Sequence, residues 1–249
     1  MINPEMINKP DVTYNDGEIS ILDIKEIPYF DKEEYDLSNE KEYKRYVADV
    51  ERLVRNSIEY RNLINYLRNS EGMNTCAFLD NVSNENGNMR IEIHHSPFTL
   101  FDIVNTVINK RIKNAEPMDV ELVAEEIMYL HYMGWVGLVP LSETIHEMVH
   151  NSFLFVPTNI VRGVYQYFIN AYYDYIDPVL LDYIDAAERL TKDGDLVKKQ
   201  MELLNSHKIY INVGGSYALP GLVEIQNSIK GKINQLKNRK IEMVDIVRN

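Results

Sequence analysis

The sequence has 249 residues, 45% apolar and 26% charged. That composition excludes an intrinsically disordered chain and, at about 150 residues per domain, fits one large domain or two small ones. One cysteine, Cys76, excludes an intramolecular disulfide framework, and a formal charge of −12 argues against a surface coated for non-specific DNA binding while leaving room for a local basic patch. No apolar run approaches the ~20 residues of a membrane span, and MINPEMINKPD is no secretory leader, so the chain reads as cytoplasmic.

Residues 1–40 hold eleven acidic and three basic side chains together with Pro4, Pro10 and Pro28, which reads as an extended acidic arm. Within it, the apolar stretches 19–24 and 27–30 are candidates to dock as short strands. Apolar side chains at spacings of three and four, from Tyr43, Tyr46, Val47 and Val50 to Leu63, Ile64 and Leu67, predict a helical lead-in over 41–74. Asn39 is the expected N-cap, Glu42 is the residue that would reach back to the cap's N–H, and Gly72 ends the segment. Two β-like runs follow, 75–82 and 88–95, and Asn86-Gly87 between them signals a hairpin because both residues tolerate positive φ.

Residues 98–113 and 118–132 read as helices divided at Pro117, forming an inserted helical segment over 98–133. Gly134-Trp135-Val136-Gly137 breaks the second, 138–141 is a short apolar strand, and Ser142 caps a helix over 142–151. Residues 157–249 form a helical C-terminal region with a break at Pro178 and a turn at Gly214-Gly215. From residue 189 onward eleven basic residues stand against six acidic ones, with Lys230, Lys232, Lys237, Arg239 and Lys240 clustered.

Four of the six histidines fall in two local pairs. His94 and His95 end the second β-like run. His146 and His150 are one helical turn apart, so both imidazoles leave the same face of the helix. Two such nitrogens can bridge one tetrahedral metal, a strand-end histidine can supply a third ligand, and its neighbour points the other way as a candidate base. The remaining pair, His131 and His207, read as structural hydrogen-bonders.

At MRIEIHHSP and GLVPLSETIHEMVHN the sequence resembles the HNH, or ββα-metal, nuclease family, over residues 75–156. The second helix histidine four residues after the first is most similar to the colicin-type DNases and to phage-encoded HNH-like proteins. The resemblance implies that His94, His146 and His150 hold one divalent metal ion and that His95 is the general base. It also implies an α+β, mainly helical fold with a central ββα-metal unit and helical flanks. A neutral imidazole takes a water proton at physiological pH, which typically gives ~10²–10⁴-fold acceleration. Three imidazoles suit zinc or nickel better than magnesium, which prefers oxygen.

Gly137 stands nine residues before His146, where the family usually has an asparagine; Asn105, Asn109 and Asn114 are the substitutes within the insertion. That departure, with eleven acidic residues against four basic ones over 76–160, favours an alternative: a catalytically inactive HNH-like module that binds DNA or a protein partner. His146-Glu147-Met148-Val149-His150 also spells H-E-x-x-H, the zinc-peptidase helix, whose third ligand lies downstream; Glu188 is the candidate there. If DNA is bound, Arg90, Arg111, Lys113 and the cluster from Lys230 to Lys240 are its candidate contacts. The acidic arm or the tyrosine-rich helices are candidate surfaces for a protein partner.

Overall fold

In the computed structural model, residues 35–84, 90–208 and 219–238 are described with their side chains, and 13–15, 18–20 and 239–247 as backbone. The chain is α+β and mainly helical. Its order is β1 (Thr13–Asn15), β2 (Glu18–Ser20), α1 (Glu40–Asn56), α2 (Ile58–Asn69), β3 (Ile91–His95), α3 (Leu100–Lys113) and α4 (Val120–Tyr132). There follow β4 (Leu138–Ser142), α5 (Glu143–His150), α6 (Tyr165–Tyr172), α7 (Pro178–Asp193), α8 (Asp195–Ser206) and α9 (Leu222–Val247). Two units emerge, and they interleave along the chain: residues 1–71, 98–137 and 163–176 form one, and 72–97, 138–162 and 177–249 the other.

In the first unit Asn39 caps α1 as its sequence position predicts, accepting from the N–H groups of Lys41 and Glu42. The reciprocal contact does not form, because Glu42 accepts instead from the Asp36 N–H at 2.8 Å. The expected single helix is two. Ser57 leaves the helical region, donates its hydroxyl to Val54 O at 2.8 Å and accepts from the Tyr60 N–H at 3.1 Å, closing α1 and opening α2 with one side chain. A capping box does form at α3, between Thr99 and Asp102. Helices α1, α3 and α4 pack on one another, and their Val50, Val54, Val104, Val107, Val123 and Ile127 are fully buried; each contributes about 1.5–3 kcal/mol over exposure.

In the second unit the predicted hairpin is not formed. Residues 75–82 make no strand; Thr75 bridges Ser83 alone, and Cys76, Phe78, Leu79 and Val82 turn into the core. The Asn86-Gly87 turn lies outside the described residues. The partner of β3 is β4, antiparallel, in a register running from Ile91 opposite Ser142 to His95 opposite Leu138. The reason is that an apolar run satisfies burial equally well as a core loop, and alternation does not name the strand it pairs with. With the sheet's own Val139 and Leu141, the side chains of Ile145, Met148, Leu154 and Leu204 complete this core.

A smaller cluster holds α7, α8 and α9 together through Ala186, Ala187, Leu190, Val197, Ile229 and Ile233. Gln200 is buried beside it and satisfies both backbone groups of Phe155, accepting at 3.1 Å and donating at 2.8 Å. Pro178 takes the first position of α7, where its missing N–H costs nothing. The acidic arm's apolar stretches and the Gly214-Gly215 turn lie outside the described residues, the short β1–β2 pair apart.

Candidate metal centre

Side chains on a strand alternate between faces, so β3 presents Glu92 and His94 on one side and Ile91, Ile93 and His95 on the other. The antiparallel register adds Val139 and Leu141 to the first face. α5 begins directly after β4. Ser142 precedes it in an extended conformation without a side-chain cap bond, and its hydroxyl is instead met by Cys76 Sγ at 3.8 Å. Ile145 and Met148 anchor α5 in the core, which turns His146 and His150 toward the Glu92–His94 face.

The result is a cluster of three imidazoles. His94 ring centroids lie 5.1 Å from those of both His146 and His150, and one ligand nitrogen from each residue falls within 4.8 Å of the others. His146 Nε2 and His150 Nε2 are 3.0 Å apart, near the spacing of about 3.3 Å that a tetrahedral zinc with bonds of about 2.0–2.1 Å requires. Glu92 Oε2 is 2.5 Å from His146 Nδ1, and Arg90 Nε is 3.3 Å from Glu92 Oε1. The donor set, neutral nitrogens backed by a carboxylate, fits a borderline divalent ion such as zinc or nickel. Among the described residues this is the group able to hold a metal.

His95 is not part of the cluster. It lies on the opposite face of β3 and is 5% exposed. The three amides of the inserted segment are engaged inside the first unit: Asn105 accepts from the Tyr43 hydroxyl at 2.8 Å, Asn109 donates to Tyr175 O at 3.1 Å, and Asn114 donates to Glu116 at 3.0 Å. Glu147 is exposed beside the cluster, whose third histidine comes from an upstream strand; Glu188 and His207, downstream, do not belong to it. His131 is buried with its Nδ1 2.7 Å from Ile127 O, and His207 Nδ1 is 3.0 Å from Leu203 O, both structural partners as expected.

The candidate nucleic-acid contacts divide. Arg111 is turned inward, ion-paired with Glu126 at 2.8 Å and donating to the carbonyls of Pro117 and Leu122. Lys113 lies over the Tyr175 ring at 5.1 Å. Arg90 is largely exposed but pairs with Glu92, and Lys232 pairs with Asp193 at 3.3 Å. Lys230 is exposed on α9 and Lys237 half-buried, whereas the side chains of Arg239 and Lys240 lie outside the described residues. Of the tyrosine series, Tyr165 and Tyr172 are core, and Tyr167, Tyr173 and Tyr183 are exposed. Glu92 escaped the sequence reading, although the alternation in Ile-Glu-Ile-His-His already puts it beside His94.

Residues 5–216, a span that includes β3, β4 and α5, match a family model described as Bacteriophage G278-like virion protein. The chain matches no curated protein and no solved structure. Among the described residues no helix is long and apolar enough to cross a membrane.

Proposed function

The chain belongs to the bacteriophage G278-like virion protein family and is of phage origin, and on the geometry of its histidine cluster we propose that it is an HNH-like, metal-dependent endonuclease that hydrolyses phosphodiester bonds in DNA. The observation that carries the reading is the convergence of His94, His146 and His150 on one face of a strand–strand–helix unit, with Glu92 behind His146. In this reading the three imidazoles hold one divalent ion, zinc or nickel in preference to magnesium. Such an ion, when bound, supplies positive charge against the scissile phosphate and the departing oxygen. His95 has the role of accepting the proton of the attacking water. That role requires His95, buried at 5% exposure on the face of β3 away from the three imidazoles, to turn toward them. Lys230, exposed on α9, is a contact to the DNA backbone in this reading.

A second reading is a catalytically silent module in which the metal staples β3 to α5. The burial of His95 at 5% exposure, the internal engagement of Asn105, Asn109 and Asn114, and Gly137 in place of the customary amide favour it. Plasmid cleavage by the full chain with Mg²⁺, Mn²⁺, Ni²⁺ or Zn²⁺ separates the two. The nuclease reading expects nicking that His146→Ala and His95→Ala each abolish. Metal binding without nicking selects the staple, and nicking that survives His95→Ala removes that residue from the mechanism.

A further inference from the structure

We propose that Glu92 is the positioning residue of the three-histidine cluster: it fixes His146 in the Nδ1–H form and leaves Nε2 as the nitrogen that ligates. The proposal rests on the metal-holding reading of His94, His146 and His150. One five-residue strand, β3, delivers both a ligand, His94, and, two positions earlier on the same face, the carboxylate that reaches across to a ligand on α5.

A carboxylate only accepts hydrogen bonds, so the 2.5 Å contact between Glu92 Oε2 and His146 Nδ1 puts the proton on Nδ1. His146 Nε2 then carries a lone pair. The 3.0 Å contact between the two Nε2 atoms follows from it, with His150 donating and His146 accepting. In the neutral rings the two helix histidines are thus unequal: His146 already presents its Nε2 lone pair, while His150 must exchange tautomer before its own Nε2 can ligate. Both members of the Glu92–His146 pair are shielded, at 22% and 23% side-chain exposure, and Arg90 at 3.3 Å from Oε1 holds the carboxylate's other oxygen. Outer partners of this kind orient the ring and raise its basicity, and their removal costs about 10–100-fold in metal affinity.

The test measures Zn²⁺ and Ni²⁺ affinity of the full chain by competition with a chromogenic chelator for wild type, Glu92→Gln, Glu92→Ala and His146→Ala. Long-range ¹H–¹⁵N correlation of the metal-free protein reads the His146 tautomer. Glu92→Ala is expected to weaken both metals by about 10–100-fold, with Glu92→Gln between it and wild type because the amide oxygen still accepts from Nδ1–H. The metal-free wild type is expected to show the Nδ1–H tautomer at His146, and Glu92→Ala to lose it. Wild-type affinity in Glu92→Ala, or an Nε2–H tautomer in the wild type, overturns the role of Glu92 while leaving the cluster as a metal site. Failure of the wild type itself to bind either ion overturns the metal site, and the tautomer measurement still decides the Glu92–His146 pair. Glu92→Gln, nearly isosteric, supplies a folded comparison, checked by its melting curve.

Discussion

His146 Nε2 and His150 Nε2 face one another across 3.0 Å, a separation that one shared proton or one shared metal ion accounts for. An ion that binds the folded chain but not the unfolded one must therefore stabilise it. At free Zn²⁺ about 100 times its Kd the gain is about 2.7 kcal/mol, or about 5–10 °C in melting temperature for a chain of this size. His150→Ala is expected to erase that shift and EDTA to reverse it. A zinc-induced shift of full size in His150→Ala, followed by differential scanning fluorimetry, would count against the centre.

Burial lowers His131 from the ordinary 6.5 to about 4. Between these values the unfolded chain binds a proton that the folded chain refuses, so acid favours unfolding. The contribution is complete above pH 6.5, falls as pH drops toward 4, and about 3 kcal/mol is gone below that window. His131→Leu is expected to flatten the dependence of urea midpoint on pH over this range. An unchanged slope in the variant would assign the acid sensitivity elsewhere.

Arg111 donates through Nε to Glu126 Oε2 at 2.8 Å, its Nη2 lies 2.8 Å from the same oxygen, and Lys110 and Tyr172 reach the other oxygen. Arg111→Ala leaves a shielded carboxylate short of its main partner, and a loss of about 3 kcal/mol in stability is expected. DNA affinity at low salt, if the chain binds DNA, is expected to change far more on Lys230→Ala. Electrophoretic mobility shifts and chemical melts of the two variants give the comparison.

Gly163 has φ of +95°, and a Cβ built there would lie 2.3 Å from Val136 O, a backbone atom that cannot step aside. Gly163→Ala is expected to cost about 3 kcal/mol, because a left-handed backbone and a steric clash add. Gly72 has a similar φ of +68° with nothing within 4 Å, so Gly72→Ala is expected to cost only about 1 kcal/mol. Equal losses in the two variants, by chemical denaturation, would mean that the contact with Val136 yields.

Helix positions were legible because period and punctuation are local: Asn39, Pro117 and Pro178 mark ends that the chain uses. The break at Ser57 was not, since the apolar spacing runs through it and only the hydroxyl's two bonds reveal it. Pairing is a long-range property, so residues 75–82 read as the partner of β3 when β4 takes that place. The i, i+4 spacing made the shared face of His146 and His150 legible, and the choice of His94 over His95 as their third partner came from the family resemblance. Side-chain supply around them was less so. Strand alternation places Glu92 on the face of His94 but not the ring on α5 that it reaches, and burial of His95 depends on what covers the far side of its strand.

β3 and α5 belong to one unit, yet all of residues 98–137, which belong to the other, are spelled out between them. Synthesis therefore delivers His94 long before the two imidazoles it must join, and the assembly of the cluster waits on a detour through foreign helices. An ion held there would act as a clasp on that detour, closing a large loop of chain whose release on chelation frees entropy on both sides of the excursion.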